Sequence, residues 1–550
     1  MKIFRNRETR CFVARLLPAA GMMLLLSVTQ APAWGQQYED HKLVAFDNAE
    51  DDSFGDAVAL SGDVALIGAP WSDAGFERSG SAYVYRYDLG SGTWVTEAKL
   101  IASDAERSRL FGWSVAVEGD RAMVSSPGGS GAVYEFRYDA VSGTWNEENK
   151  LVPSDIQPLD FFGRHIALDG DLLLVGEDGP GFKGAAYLFR YDSGSGTWNE
   201  EQKLLASDGQ PDDSFGFSVD ICDSVALIGA MSSDDWGFHS GSAYVFRYDS
   251  GSATWKEEQK LLASDGAYYD QFGWSVAMSA DLLLIGANRA DYTGEESGAV
   301  YAIQYDSGSG TWIEKQKFVA ADTGTDDFFG SSVALSGDLA LIGAKYSLNG
   351  AGRTGEAYKF RYDPGSETWK EEAKLSTLDG LDGDEFGQAV AISGDTFLIG
   401  APEDDIDVLN CGSAYIFGAL GPFAVDVKIN GQDGPVFLTL ADTITCTIDI
   451  SAGSHAGTPV DVWALAIYGY AATSVWSCGN YGAPSWSRGW NEVFFTGGLV
   501  DMTETLFNAP VPNQPAGFWS VYLLVDMNPD GLLDVGDVLE FDDVSIIVQP

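Results

Sequence analysis

Cysteine and histidine are scarce in this chain, five and four in 550 residues. His41, His165, His239 and His455 show no metal-ligand spacing, which argues against a histidine-built zinc site. No Gly-x-Ser-x-Gly elbow and no phosphate-cradling loop is present, so no catalytic constellation assembles from motifs. Basic residues are few, 32 Lys and Arg against 81 Asp and Glu, for a formal charge of −49. Such a surface repels nucleic acid and anionic membranes, and both are excluded as expected partners. Long helical periodicity is missing, and no apolar run after the N-terminus suits a membrane span. Glycine, in contrast, is abundant (65) and aromatics reach 13%, a composition that predicts all-β structure with many turns.

Residues 1–33 read as an export signal. Lys2, Arg5, Arg7, Arg10 and Arg15 precede an apolar stretch from Leu16 to Val28, and Ala31-Pro32-Ala33 supplies a small-x-small cleavage pattern. The expected protein is therefore secreted or held at the cell surface, and monomeric. Cys11 leaves with the signal. Cys446 and Cys478 share a C-terminal region and are expected to bridge in an oxidising compartment. Cys222 and Cys411 lie in distant repeats and are not expected to pair.

The organising feature is a sevenfold repeat. A Lys-Leu-type pair leads, twelve residues on, to a Phe-Gly pair, and the Gly leads thirteen residues on to the Gly of an Ile-Gly-Ala-like triplet. The Phe-Gly pairs begin at Phe54, Phe111, Phe162, Phe215, Phe272, Phe329 and Phe386; Ser125 replaces the triplet Gly in the second repeat. A unit of this size cannot bury its own apolar face, so neighbours must stack.

The fifth unit predicts four strands: Trp274 to Met278, Leu282 to Ala287, Ala299 to Tyr305 and Trp312 to Ala320. The second is continuously apolar, as a strand buried on both faces should be. Four antiparallel strands repeated seven times describe a seven-bladed β-propeller. The seventh unit stops after its third strand near Phe417, while His41 to Ala45 matches an orphan fourth strand. The N-terminal segment is therefore expected to complete the last blade and hide its edge.

These residues resemble the FG-GAP repeats of integrin α-chain heads and many secreted bacterial proteins, over about residues 38–418. Phe54-Gly55 with Ile67-Gly68-Ala69-Pro70, and Phe386-Gly387 with Ile399-Gly400-Ala401-Pro402, carry the resemblance. It implies a propeller serving adhesion or ligand binding. The hairpin between the first two strands is only a Gly-Asp-type turn (Gly62-Asp63, Gly337-Asp338), so the calcium loops of integrin-like blades are not carried over.

Two loops of each blade open on one face, and both are acidic. Asp occurs five residues after every repeat Lys, from Asp47 to Asp379, and such regularity points to a turn-capping role. The less regular acids, Asp73, Asp234, Asp235, Asp291, Asp404 and Asp405, are the candidate ligand-binding residues. With Trp71, Trp236 and Tyr292 they could hold a cation or a sugar-like ligand; solvated loop charge is the alternative. Shortened loops in the second and third repeats predict a notch on this face. His165 stands where other repeats carry Ala or Ser and is expected near the central channel.

A short linker, 419–422, is expected to lead into an immunoglobulin-like β-sandwich over 423–550. Here Asp526, Asn528, Asp530, Leu532 (through its carbonyl), Asp534 and Asp537 occupy the ligand positions of an EF-hand-like calcium loop, with Gly531 at the turn. Calcium is the expected cofactor, in a structural role. Trp476, Tyr481, Trp486 and Trp490 could stack on sugars or simply be buried. The sequence thus points to a non-enzymatic adhesion or ligand-binding protein whose partner is an extracellular protein or carbohydrate. The competing classes are a carbohydrate-active propeller and a purely structural surface component. The Asp-Ser-Gly-Ser-Gly-Thr-Trp turns resemble sialidase Asp-boxes but are one residue longer and lack the leading Ser or Thr.

Overall fold

The computed structural model describes residues 35–418, apart from 89–90, 180, 182, 349–351 and 407, together with the backbone of ten strands between 424 and 548. The expected signal (1–33), the linker (419–422), calcium-loop residues Asn528, Asp530, Leu532, Asp534 and Asp537, and the side chains of Asp526, Cys446 and Cys478 lie outside the described residues.

Seven antiparallel sheets follow one another between His41 and Phe417, each with its strands in chain order except the last. Blade five is representative: Phe272–Ser279, Leu282–Ala287, Ala299–Asp306 and Thr311–Phe318. The first strand of each blade touches the first strand of the next, from Ala57–Ser61 round to Val390–Ser393 and back. That closed circuit makes the molecule a seven-bladed β-propeller, and it leaves a channel along the axis.

The last blade is closed as the repeat register requires. His41–Leu43 pairs antiparallel with Ser413–Phe417, Lys42 opposite Tyr415. One element has no counterpart in the sequence pattern. Gly35–Tyr38 runs parallel to Thr368–Ser376, the outer strand of blade six, as a fifth strand. The N-terminal segment therefore stitches two blades, adding to one and completing the other.

Packing explains the repeat motif. The second strands, such as Val64–Ala69 and Leu339–Ala344, are buried at every residue because neighbouring blades cover both faces. Each Phe of a Phe-Gly pair is essentially inaccessible and meets a third-strand Tyr edge-on, as Phe54 meets Tyr83 at 5.3 Å. Burying one such ring contributes about 1.5–3 kcal/mol. The glycines are required by contact between blades. Gly55 has φ +100°, and a Cβ there would stand 2.3 Å from the Ser413 carbonyl oxygen of blade seven. A Cβ on Gly68 would stand 1.9 Å from the Gly112 carbonyl oxygen of blade two. No L side chain fits either place.

Beyond 423 the described strands form two sheets. Ala424–Ile429, Thr443–Ser451 and Met502–Pro510 make a three-stranded sheet, and seven strands including Pro459–Tyr468, Gly517–Asp526 and Val538–Val548 make the other. Cys222 and Cys411 are free thiols, in line with the expectation that they do not pair.

Candidate functional site

The residue after each Phe-Gly lies within or just before the innermost strand, at the channel mouth. In an otherwise repetitive sequence this position varies around the ring, only Trp occurring twice: Asp56, Trp113, Arg164, Phe217, Trp274, Ser331 and Gln388. Together they ring a cavity of about 500 Å³, which Trp71 enters from a loop and which His165, Ser218 and Ser275 line more deeply.

One arc of the ring is aromatic and holds a cation. The Arg164 guanidinium lies 4.8 Å from the Trp113 ring centre and 5.2 Å from that of Phe217. Phe217 in turn approaches Trp274 at 4.9 Å, and Trp71 meets Trp113 edge-on at 6.2 Å. Trp274 Nε1 donates to the Ser331 carbonyl at 3.1 Å. His165 lines the channel as expected, 5.7 Å from Phe217. Burial, with Arg164 adding to it, pushes its imidazole down to about 3, so it is neutral at physiological pH.

The rest of the ring is polar, with Ser331, Gln388 and one carboxyl, Asp56. Asp56 accepts from Gln388 Nε2 at 3.4 Å, and burial pushes its carboxyl up to about 6. Behind it Glu385 accepts from Lys345 at 3.1 Å and from the Tyr346 hydroxyl at 2.9 Å. Glu403 is raised by burial and by the charges of Glu385 and Asp56. An aromatic wall facing hydrogen-bonding groups across a small concave site is the usual composition of a ligand pocket.

The six loop acids expected to bind ligand are scattered over blades one, four, five and seven, and each is engaged locally. Asp73, Asp234, Asp291 and Asp405 accept from the backbone N–H five residues on, those of Arg78, His239, Glu296 and Asn410, at 2.7–2.8 Å. Asp235 pairs with Lys260 at 2.8 Å. Asp404 is only 3% exposed, pairs with Lys42 at 2.8 Å and accepts from the Tyr415 hydroxyl at 2.7 Å. Among the described residues no group of His, Cys, Asp or Glu is arranged to hold a metal ion.

The regular aspartates act as anchors. Asp265 accepts from the Tyr301 hydroxyl at 2.7 Å and from Lys317 at 2.9 Å, and the same Asp, Tyr and Lys recur in all seven blades. Arg86, Arg190, Arg247 and Arg361 pair with a glutamate on the outer strand, as Arg247 does with Glu258 at 3.0 Å, while Arg137 pairs with Glu135 on its own strand at 2.8 Å, and they do not converge. Motif searching overlooks the channel ring, because its signal is divergence at one repeat position rather than any pattern.

A propeller of seven Phe-Gly units with this geometry defines a class, and comparison with known proteins places the chain within it. The FG-GAP repeat model matches at 34–85, 94–136, 145–189, 198–246, 255–303, 312–360 and 369–417. The chain belongs to the FG-GAP repeat family. No curated protein matches it. Among solved structures it is similar to Sqt1 of Saccharomyces cerevisiae, with TM-score 0.41 and 11% identity over 76% of this chain and 97% of that one. It is also similar to a putative 6-phosphogluconolactonase from Bacteroides uniformis ATCC 8492 (TM-score 0.43, 14% identity, 62% and 90% covered). The periplasmic gluconolactonase PpgL of Pseudomonas aeruginosa gives TM-score 0.39 and 16% identity, with 59% and 86% covered. Likenesses at this level carry no statement about activity.

Proposed function

We propose that the chain is an exported, non-catalytic recognition protein acting in adhesion or extracellular ligand binding. It engages its ligand, a protein or a carbohydrate, on the loop-rich face with the channel mouth at the centre. The observation that carries this reading is the ring of seven varied residues at one repeat position, aromatic and cationic on one arc and polar, with the carboxyl of Asp56, on the other. A scaffold that repeats its packing residues while varying one ring is displaying that ring. The test is a glycan and matrix-protein binding screen of residues 34–550 against the Arg164→Ala and Trp274→Ala variants. At least one ligand of the wild type should be lost in both variants, with the melting temperature kept; a screen in which every ligand still binds both variants would move the site elsewhere.

The C-terminal region completes the proposal as a β-sandwich stabilised by calcium at Asp526, Asn528, Asp530, Leu532, Asp534 and Asp537. Antiparallel pairing of the flanking strands puts Asp526 opposite Val538, which supports this reading by bringing the two ends of the segment together. Titration calorimetry should show calcium binding that Asp530→Ala abolishes. A glycan-cleaving reading has one observation in its favour: Asp56 keeps its proton close to neutrality within the channel. Sugar release from a glycan, lost in Asp56→Asn, would transfer the protein to that class.

A further inference from the structure

At the junctions between blades, the loop joining the second and third strands is zipped by backbone hydrogen bonds to the loop entering the next blade. Between blades one and two, Ser108 donates to the Glu77 carbonyl at 2.9 Å and Leu110 to that of Arg78 at 3.3 Å. Between blades five and six the pairs are Asp326 to Glu295 and Phe328 to Glu296, at 2.8 and 3.3 Å. Between blades seven and one they are Asp51 to Leu409 and Ser53 to Asn410, at 3.1 and 3.2 Å. Between blades four and five they are Tyr269 to Phe238 and Gln271 to His239, at 3.0 and 3.1 Å. The backbone is the same at all four junctions, but the side chains are not.

Between blades one and two the exposed pair is an ion pair, Arg107 with Glu77 at 2.7 Å. The equivalent positions between blades four and five carry Tyr268 and Phe238, beside Trp236, His239 and Tyr269. Phe238 stacks on His239 at 3.9 Å and 17°, and lies 5.5 Å from Tyr269 and 6.1 Å from Tyr268. Trp236, Phe238 and Tyr268 remain 57%, 47% and 66% exposed. At the other three junctions the positions equivalent to Phe238, His239, Tyr268 and Tyr269 carry no aromatic residue and the same zipper forms, so these rings are not needed to hold it. Two of them also occupy unfavourable backbone: Tyr269 at φ +69° and His239 at φ +56°, where equivalent residues include Asp51, Asp326 and Asn410. Asn and Asp tolerate that region better than a bulky ring does. The aromatic choice therefore works against local preference without serving the fold.

We propose that this platform is a second ligand site, separate from the channel mouth, and that it takes a neutral oligosaccharide. A sugar ring offers an apolar C–H face to stack on an aromatic ring and hydroxyls for polar groups at its rim. Charge selects against an acidic chain. The two lysines beside these loops are already paired, Lys260 with Asp208 at 2.7 Å and Asp235 at 2.8 Å and Lys317 with Asp265 at 2.9 Å, so neither is a free partner for an acidic chain. The loop carboxylates are held too: Asp234 by the His239 N–H, Asp270 by the Ala267 N–H, and Asp265 by Tyr301 and Lys317. They retain lone pairs that can accept from sugar hydroxyls. The hydrogen-bonded zipper holds the rings in place before binding, which lowers the ordering cost.

Calorimetry of residues 34–550 with cellohexaose, xylohexaose and maltohexaose as neutral probes, and with hexagalacturonate and hexalysine as charged ones, tests this. At least one neutral hexaose should bind, about fivefold or more weakly in Tyr268→Ala and in Phe238→Ala, and unchanged in Arg164→Ala. Because Tyr268 is largely exposed, its variant should keep the wild-type melting temperature and decides the matter if Phe238→Ala is unstable. No neutral binding, binding indifferent to Tyr268, or preference for either charged probe would overturn the proposal.

Discussion

Asp265 and its six equivalents each tie a loop to the third and outer strands of the blade that follows it, through one tyrosine hydroxyl and one lysine. The lysine also lies over the tyrosine ring, as Lys317 does over Tyr301 at 5.0 Å. Removing the acceptor leaves two donors short of a partner, so Asp265→Ala should cost about 1–3 kcal/mol in urea unfolding. An unchanged midpoint would strike the anchor from the account. The motif glycine makes a second case. Gly55 and Gly62 both have positive φ, but a Cβ at Gly62 meets nothing within 4 Å whereas one at Gly55 meets a carbonyl. Gly62→Ala should cost about 1 kcal/mol for backbone conformation alone, and Gly55→Ala several times more, compared by thermal unfolding.

At the scale of elements, the blade was legible from sequence because strand alternation, turn residues and apolar runs are local properties. The strands expected in blade five fall where they are found, within two residues at the ends. Closure by His41–Leu43 was also legible, since the orphan Lys-Leu strand and the unfinished seventh unit complement each other. The parallel strand Gly35–Tyr38 was not, because its four residues carry no repeat signature and its partner lies more than 300 residues away. A chain beginning at Val44 should melt at lower temperature and aggregate through the bared edge of Ser413–Phe417, visible by light scattering. One beginning at Asp40 should lose less, since it keeps the closing strand; equal losses would assign the stability to the outer stitch.

The whole molecule is strongly acidic, and its buried carboxyls set its response to pH. Asp56 and Asp384 are pushed up to about 6, and Glu177 and Asp220 to about 7, chiefly by burial. The folded state holds protons there that the unfolded chain releases near pH 4, so their contribution is lost as pH rises towards about 7. Asp47, Asp104, Asp155, Asp208 and Asp265 behave oppositely: lysine and tyrosine partners offset the cost of burial and lower them. Their stabilisation is present above the unfolded value and lost as pH falls below about 4. The melting temperature should therefore peak near pH 5 and decline towards pH 8; a steady rise from pH 5 to 8 would contradict this balance.

Repeat length, blade number and ring closure followed from the order of residues alone, because each depends on spacing along the chain. The loop acids looked available in sequence, and only the folded loops disclosed that nearby N–H groups or lysines already hold them. The channel ring and the aromatic platform likewise needed tertiary structure. Their members are separated by a whole repeat or brought together from two loops, and such neighbourhoods arise only when blades meet around an axis.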